Sequence, residues 1–374
     1  MAGFVAVLVG FTSSVVIVFA AAQALGATPA EASSWIWALG LGMGLTSIGL
    51  SLATRQPVLT AWSTPGAALL AGTSGVAMPE AVGAFVACGA LIVLAGVTRA
   101  FERVMDRIPQ AIAAALLAGV LARFGLDAAG AAQSAPWLVL SMALAFLAGR
   151  RGWPRYAVPG VLIVGIVVAA AQGRMQWSRV LFEAAWPLWT TPRFSLNAFV
   201  GVALPLFVVT MASQNLPGVA AQRAAGYATP VSASITATGA ATVLLAPFGG
   251  YAFNLAAITA AICMGREVDE DPARRYTAAV TAGVFYIAIG LAGGAVVGLL
   301  QAFPRELVLA VAGLALLGTI SGGLAAALKD ERHRDAAILT FLVTLSGVTL
   351  AGIGSAFWGV VAGAIALVVG KWRK

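Results

Sequence analysis

The sequence predicts an all-α polytopic membrane protein with about 14 transmembrane segments, arranged as a 7+7 inverted repeat. The composition, the number of apolar runs and matched features in the two halves carry this prediction. Of the 374 residues, 60% are hydrophobic and 10% are charged, whereas about 25% are charged in soluble domains. At roughly 20 residues per membrane-spanning helix, the chain has no room for a separate soluble catalytic domain.

Apolar runs divide the chain into two sets of seven, separated by a polar stretch rich in tryptophan. The first set covers residues 4–25, 32–53, 57–75, 80–98, 109–126, 135–149 and 156–172. The second set covers residues 198–221, 231–247, 248–264, 273–301, 304–327, 336–353 and 354–370. We therefore predict a first repeat over residues 1–172, an external interfacial linker over 173–197 and a second repeat over 198–374.

The basic residues predict the orientation. With a cytoplasmic N-terminus, 17 of the 22 Lys and Arg residues fall in cytoplasmic loops, and the other five are Arg123, Arg174, Arg179, Arg193 and Arg305. The positive-inside rule then places both termini in the cytoplasm. The net charge of +8 is explained by these loops, so no nucleic-acid partner is predicted.

Similar stretches recur in the two halves. Residues 22–29 and 221–230 end in Pro29 and Pro230, and Pro109 and Pro304 open the fifth and twelfth runs. The two pairs are collinear, which indicates an internal repeat. Because seven is odd, the second repeat must enter the membrane from the opposite side. Inverted repeats are typical of secondary transporters, whose halves exchange conformations between inward-open and outward-open states.

The third run is predicted to be a broken helix. Pro57 and Pro65 bracket a segment rich in β-formers, and Thr64 before Pro65 is typical of an N-cap before the first helical residue. We therefore expect a short extended segment and then a half-helix from Pro65 to about Ser74. A simple kink at Pro65 in a buried helix is the alternative.

The tenth run repeats this design. Gly249 and Gly250 interrupt the helical pattern, and Asn254 is predicted to cap a half-helix from Leu255 to Met264. In an inverted repeat the two half-helices face each other with their N-termini, whose free N–H groups favour an anion.

The candidate substrate-binding residues cluster at these two breaks. They are Trp62, Ser63, Thr64, Pro65, Gly66, Gly250, Tyr251, Phe253 and Asn254. An aromatic side chain beside an anion site would suit a flat ring that bears a carboxylate, although Trp62, Tyr251 and Phe253 could equally be packing residues.

Polar residues in the first and eighth runs complete the candidate site. Ser213, Gln214 and Asn215 are consecutive, precede a proline and lie at mid-membrane depth, where unpaired amides are costly. Lining a substrate cavity and bonding to a neighbouring helix are the two explanations. Thr12 and Ser13 occupy the related place in the first run, where hydroxyls often bond to their own backbone.

The predicted spans lack the residues that enzymatic catalysis or metal binding needs. The acidic residues lie in loops or near the ends of runs, and the single histidine, His333, lies in a charged loop. Cys88 and Cys263 are the two cysteines, and each lies in an apolar run. The spans contain no catalytic constellation and no metal-ligand cluster, so we predict neither an enzyme nor a cofactor.

Four stretches, residues 35–44, 60–66, 211–218 and 246–250, resemble the bacterial benzoate transporter (BenE) family. This resemblance extends over the whole chain and implies a multi-pass benzoate/proton symporter of the bacterial inner membrane. It also implies a fold like that of uracil permease. In that fold a core domain (helices 1–4 and 8–11) carries the substrate and a gate domain holds a homodimer. Benzoate, protons and membrane lipid are then the expected partners.

The chain departs from nucleobase permeases in one respect. Those proteins carry acids on the eighth and tenth helices, where this chain has Ser213 or Gln214 and Phe253 or Asn254. Such a change fits an anionic substrate, because a buried carboxylate would repel it.

The sequence leaves the proton carrier open. Either Asp127 or Glu306, in the fifth and twelfth runs, titrates during transport, or the proton travels on the substrate carboxylate. A passive anion channel, a transporter of another organic anion or of a nucleobase-like substrate, and a non-transporting sensor are the alternative functions.

Overall fold

The computed structural model describes residues 2–99, 101, 110–179, 184–228, 230–265, 268–348, 350 and 355–372. The first half contains α1 (Ala2–Ala24), α2 (Pro29–Thr54), β1 (Thr60–Trp62), α3 (Thr64–Ala71), α4 (Met78–Val97), α5 (Gln110–Ala131), α6 (Pro136–Gly152) and α7 (Ala157–Ala171). The second half contains α8 (residues 196–224), α9 (Val231–Leu245), β2 (Phe253–Leu255), α10 (Ile258–Met264), α11 (Tyr276–Leu291), α12 (Gly293–Ala302), α13 (Arg305–Leu328), α14 (Arg334–Leu345) and α15 (Ser355–Trp372). The protein is thus all-α apart from one short ribbon in the described chain.

Several helices have the length and composition of membrane spans. Within the described residues six qualify: Pro29–Thr54, Met78–Val97, Ala114–Ala131, Leu196–Val219, Val231–Phe248 and Arg305–Leu328. The pair α11 and α12 adds a seventh if it is one span bent by 67°. The sequence predicted the eleventh run, residues 273–301, as one apolar segment. It bends because Ala292 leaves the helical conformation immediately before the glycine pair 293–294.

The packing of the helices repeats between the halves. Helix α2 packs on α11, and α4 packs on α9. Because α2 and α9 are the second segments of their halves and α4 and α11 are the fourth, the two contacts are equivalent. The same exchange relates the α1–α3 contact to the contact of α8 with α10, and the α6–α7 pair to the α14–α15 pair. Because the contacts follow the seven-segment offset in this way, the fold is an inverted repeat.

Small residues permit the close approach of paired helices. A Cβ atom placed on Gly40 in α2 would lie 2.6 Å from the Gly290 Cα atom in α11. A Cβ atom on Gly239 in α9 would lie 2.7 Å from the Val93 nitrogen in α4. In lipid, where apolar side chains gain little by associating, such close backbone packing holds helices together. These pairs belong to the core domain (α1–α4 and α8–α12), and α5–α7 and α13–α15 form the gate domain.

Contacts between loops show which of them lie at the same end of the molecule. At one end, Arg55 donates to the Tyr276 hydroxyl (2.7 Å), and the Tyr227 hydroxyl donates to the Pro272 carbonyl (3.1 Å). At the other end, Arg174 pairs with Glu306 (3.0 Å). With seven segments in each half, the loops after the second, eighth and tenth segments are expected at one end, and the loops after the seventh and eleventh segments at the other.

The segment between α7 and α8 lies at the end of the molecule that holds the Arg174–Glu306 ion pair. Residues 184–195 are non-helical, and their N–H groups bond to the ends of core elements. Ala185 donates to the Leu291 carbonyl (2.8 Å), Thr190 to Pro247 (2.7 Å) and Arg193 to Pro79 (2.9 Å). The segment therefore ties together the ends of several core elements.

Candidate functional site

The two breaks meet as an antiparallel ribbon in the centre of the core domain. Thr60 pairs with Leu255, Ala61 with Asn254 and Trp62 with Phe253. The Ser63 N–H donates to the Ala252 carbonyl (3.1 Å), and the Ala256 N–H donates to the Leu59 carbonyl (2.9 Å). The predicted breaks of the third and tenth runs are confirmed, and the pairing joins segments almost 200 residues apart.

Side chains satisfy the outward N–H groups of the ribbon. The Thr60 and Trp62 N–H groups donate to the Ser47 hydroxyl (3.0 Å) and the Met43 sulfur (3.2 Å) of α2. On the other strand, the Phe253 N–H donates to Thr242 in α9 (3.0 Å) and the Leu255 N–H donates to Asn215 Oδ1 in α8 (2.9 Å). Lipid cannot accept these bonds, so an open ribbon at this depth depends on such partners.

Helix α3 begins immediately after β1, and its N-cap is Ser63. The Ser63 hydroxyl accepts from the Gly66 N–H (3.1 Å) and from the Thr210 hydroxyl (2.9 Å). The prediction that Thr64 is the cap is wrong by one residue, because β1 pairing holds Ser63 in an extended conformation that suits a cap. Helix α3 also ends earlier than expected, at Ala71, where Gly72 is the C-cap.

Close packing explains two further predicted residues of this break. Pro65 lies in the first turn of α3 and is buried. A Cβ atom on Gly66 would lie 2.8 Å from the Ser63 hydroxyl and would also meet Leu206 of α8. The sequence analysis missed Thr210, although its spacing to Ser213 and Gln214 places the three on one helical face.

Helix α10 begins differently from its counterpart. The sequence predicted Asn254 as its cap, but Asn254 lies in β2 and the helix begins at Ile258 after Ala257, which makes no side-chain cap bond. Strand pairing extends to Leu255 and keeps Asn254 extended. The Asn254 amide nitrogen donates to the Ala252 carbonyl (3.2 Å), and its Oδ1 is buried without a partner in the described part of the protein.

Backbone strain accompanies this second break. Ala252 has a φ of 37°, in the left-handed region that favours glycine. Its carbonyl accepts both the Ser63 N–H and the Asn254 amide. Strain of this kind persists only where surrounding contacts impose it, and it is frequent at functional sites.

The three polar residues of α8 have different environments. They lie in a π-helical turn, Met211–Asn215, that packs on β2. Asn215 is fully buried, bonding Leu255 and the Met211 sulfur (3.1 Å), so it holds the ribbon in place. Ser213 is half-buried and donates to the Val209 carbonyl. Gln214 is half-buried and makes no hydrogen bond among the described residues.

Helix α1 contributes the corresponding contact to β1. The Trp62 indole N–H donates to the Ser14 hydroxyl (3.0 Å), and the Trp62 ring lies 5.5 Å from the Phe11 ring. Ser14 and Asn215 therefore occupy matching places in the two repeats. The predicted residues Thr12 and Ser13 lie on α1, but their side chains are outside the described part of the structure.

The aromatic residues of the second break are buried against core helices. The Tyr251 ring packs 5.7 Å from the Trp35 ring and 5.8 Å from the Phe85 ring. Phe253 is fully buried against Gly42 of α2, and a Cβ atom on Gly250 would lie 2.7 Å from the Leu245 Cβ atom. By strand alternation, Ser63 and Asn254 lie on one face of the ribbon, and Trp62 and its partner Phe253 lie on the other. Tyr251 lies in the core.

The two acids predicted as proton carriers lie away from this site. Glu306, in the first turn of α13, accepts from Ser134 (3.1 Å) and pairs with Arg174. Asp127 lines a cavity of about 180 Å³ between the core and gate domains. This cavity adjoins the C-terminal end of α3, opposite the N-terminal end where the substrate site is predicted, and its lining includes Leu69, Thr73 and Arg123.

The chain is similar in sequence to a family of membrane proteins and to two of its relatives. A family model described as benzoate membrane transport protein (BenE) matches residues 1–369. The inner membrane protein YdcO of Escherichia coli is 51% identical over 99% of this chain and 95% of its own length. A benzoate membrane transport protein of Acinetobacter baylyi is 39% identical over 99% of this chain and 94% of its own length.

A solved structure shows the same architecture. The transmembrane domain of a cyanobacterial bicarbonate transporter, BicA, aligns with a TM-score of 0.65 over 97% of this chain and 96% of that domain, at 14% identity. An identity this low extends to the fold alone. The family match over nearly the whole sequence and the 39% identical relative show that the chain belongs to the BenE family of benzoate membrane transport proteins.

Proposed function

We propose that this protein imports benzoate or a related aromatic carboxylate together with protons, by alternating access. The observation that carries the proposal is that two half-helices meet at the central ribbon, beside the Gln214 amide, which makes no hydrogen bond within the described residues. The name of the Acinetobacter relative and the family description supply the substrate class.

The geometry fits a flat ring with a polar head. Phe11 is half-buried and contacts Trp62, so these two residues provide an aromatic wall for the benzoate ring. Next to them, Thr64 begins α3, whose N-terminal end carries a partial positive charge. The carboxyl group would then lie near Gln214, Ser63 and Asn254, with Ser213 and Asn215 supporting the site from α8.

The inverted repeat supports the transport mechanism. Exchange of conformation between the two halves would open the site first to one side and then to the other. In this proposal residues 1–172 and 198–374 are the repeats and 173–197 is the linker between them. The gate domain faces the moving core and also provides the surface for a homodimer.

We place the protein in the bacterial inner membrane, with several spans and both termini in the cytoplasm. The similarity to an inner membrane protein of Escherichia coli and the distribution of basic residues support this location. Leu140, Leu144 and Leu147 are exposed on α6, as expected for a face in lipid. Cysteines placed in the 150–155 and 173–197 loops should react with an impermeant reagent from opposite sides, and labelling of both from outside would contradict this orientation.

Uptake into proteoliposomes tests the proposed function. Radiolabelled benzoate should accumulate when the outside is acidic, and it should only equilibrate without a pH gradient. Equilibration under both conditions would indicate a passive anion channel. Binding without any flux would indicate a sensor, and competition by uracil but not by other aromatic acids would indicate a nucleobase-like substrate.

A further inference from the structure

A buried hydrogen-bond acceptor on the central ribbon has no partner among the residues that the structure describes. Asn254 is fully buried, its amide nitrogen bonds the Ala252 carbonyl, and its Oδ1 atom accepts no bond from the described residues. An unpaired buried acceptor is costly, so native proteins rarely keep one without a role. What this atom lacks is a donor, and a bound molecule can provide it.

The position of Asn254 directs it towards the proposed substrate. Side chains alternate along a strand, so Asn254 shares a face of the ribbon with its partner Ala61, and Ser63 continues that face. Ala61 is half-buried, which shows that this face is not sealed completely. The turn that carries Gln214 packs against the same strand as Asn254. The site therefore combines an unpaired acceptor with an amide that can donate.

No charged side chain near the site in the described chain is placed to neutralise a carboxylate. The hydrogen bonds of the Trp62, Ser63, Asn215 and Asn254 side chains are made with neutral groups. Arg123 and Asp127 line the cavity at the far end of α3, and Arg275 bonds the Met264 carbonyl at the far end of α10 (3.0 Å). The titratable groups on the packed elements are Tyr251, Cys263 and Tyr286, which are two phenols and a thiol and so offer no cation to pair with a carboxylate.

A full negative charge would therefore be poorly compensated here. Transfer of an ionised carboxylate into a site of low polarity is strongly unfavourable unless a cation pairs with it, and burial favours the protonated acid. The α3 N-terminus offsets part of this cost, but the Ser63 hydroxyl already accepts one of its N–H groups. Helix α10 has seven residues and adds a weaker dipole.

We propose that the protein binds its aromatic carboxylate as the neutral acid, whose O–H donates to Asn254 Oδ1 and whose carbonyl accepts from the Gln214 amide. This inference rests on the proposed function and names the form of the substrate at the same site. On the side from which the substrate enters, the carboxylate takes one proton from solvent and an O–H bond forms. On the other side that bond ionises and releases one proton and one carboxylate, so no side chain carries the proton.

Ligands that differ only in the head group test this proposal on the wild-type protein. Benzamide has a carbonyl and an N–H donor and does not ionise, whereas methyl benzoate has no donor. We expect benzamide to bind with an affinity that stays constant between about pH 5 and about pH 8, and methyl benzoate to bind about tenfold more weakly, the scale of one hydrogen bond. The apparent affinity for total benzoate should fall about tenfold per pH unit, because one proton binds with each anion.

Calorimetry in buffers with different ionisation enthalpies measures the proton directly. We expect uptake of one proton for each benzoate and none for benzamide. A benzoate affinity that is independent of pH, or a failure of benzamide to bind where benzoate binds, would overturn the neutral-acid proposal and leave benzoate transport standing. Absence of benzoate binding and uptake at every pH would instead refute the proposed function.

A matched pair of variants locates the acceptor. Asn254→Leu should weaken benzamide and benzoate about tenfold each and should abolish the preference for benzamide over methyl benzoate. Gln56→Leu removes another buried amide oxygen without a partner in the described chain, at one end of the molecule, and should leave both affinities unchanged. If Asn254→Leu folds, as shown by an unaltered elution profile, and retains the preference, Asn254 is not the acceptor.

Discussion

The two half-helices occupy equivalent places in the inverted repeat, yet they begin in different ways. Helix α3 starts at a serine cap whose hydroxyl bonds both Gly66 and Thr210, so the chain itself satisfies this end. Helix α10 starts after Ala257 without a side-chain cap, and the nearby Asn254 has a side-chain oxygen without a partner in the described part of the chain. The repeat therefore reproduces packing but not hydrogen bonding, and we infer that the second break is where the ligand completes the structure.

The largest expected effect concerns the support of the second strand. Asn215→Leu leaves the buried Leu255 N–H without an acceptor, which costs about 1 to 3 kcal/mol. We expect a lower thermal unfolding temperature in detergent and loss of uptake. Ser14→Ala is the matched variant in the first repeat, and it should destabilise less because it removes a bond to the Trp62 side chain and leaves the backbone ladder intact. Equal destabilisation by both would remove this difference between the halves.

Substitutions at the N-termini of α3 and α10 compare the two half-helices directly. Ser63→Ala removes a cap and should destabilise the protein by about 1 kcal/mol. Ala257→Ser is the matched variant at α10. Ala257 has helical backbone angles, with a φ of −104° and a ψ of −62°, rather than the extended angles of a cap, so we expect unchanged thermal stability and unchanged benzoate binding. A higher thermal stability of Ala257→Ser would show that this position can cap the helix after all.

The amide of Gln214 should affect binding more than stability, because it has no partner within the described chain. We expect Gln214→Ala to weaken benzoate binding by about 1 kcal/mol if the ligand is neutral, and by up to about 3 kcal/mol if it is an anion. Isothermal titration of the purified variant measures this difference. Gln133→Ala, which changes an exposed glutamine, is the control, and wild-type affinity in both variants would exclude Gln214 from the site.

The smallest effects are expected at the two acids outside the site. Asp127→Asn and Glu306→Gln should both retain benzoate accumulation driven by a pH gradient, because in our proposal the substrate carries the proton. Loss of the Arg174 ion pair in Glu306→Gln should lower stability by at most about 1 kcal/mol, since both side chains are partly exposed. If either variant binds benzoate normally but no longer accumulates it, that acid carries the proton.

Residues near the breaks show how far sequence reasoning extends. Pro65 and the pair Gly249–Gly250 were sufficient to predict both breaks, because a proline after a capping residue and two adjacent glycines both disfavour a continuous helix at these positions. They were not sufficient to identify the caps. Local preference favoured Thr64 and Asn254 as caps. Strand pairing instead keeps the first strand extended to Ser63 and the second strand extended to Leu255. Thr210 was missed because its partner Ser63 lies 147 residues away.

The sequence by itself determined the properties that depend on composition and order. It determined a membrane location, the division into two sets of apolar runs and the positions of the broken helices, since apolar length and backbone preference are local quantities. Only the tertiary structure decided which hydrogen-bonding groups at the breaks are satisfied. That outcome depends on contacts between helices far apart in the chain, such as Asn215 with Leu255, and on the absence of a described partner for Asn254 Oδ1. No local pattern encodes it, because each buried polar group finds a partner only once the two repeats pack together.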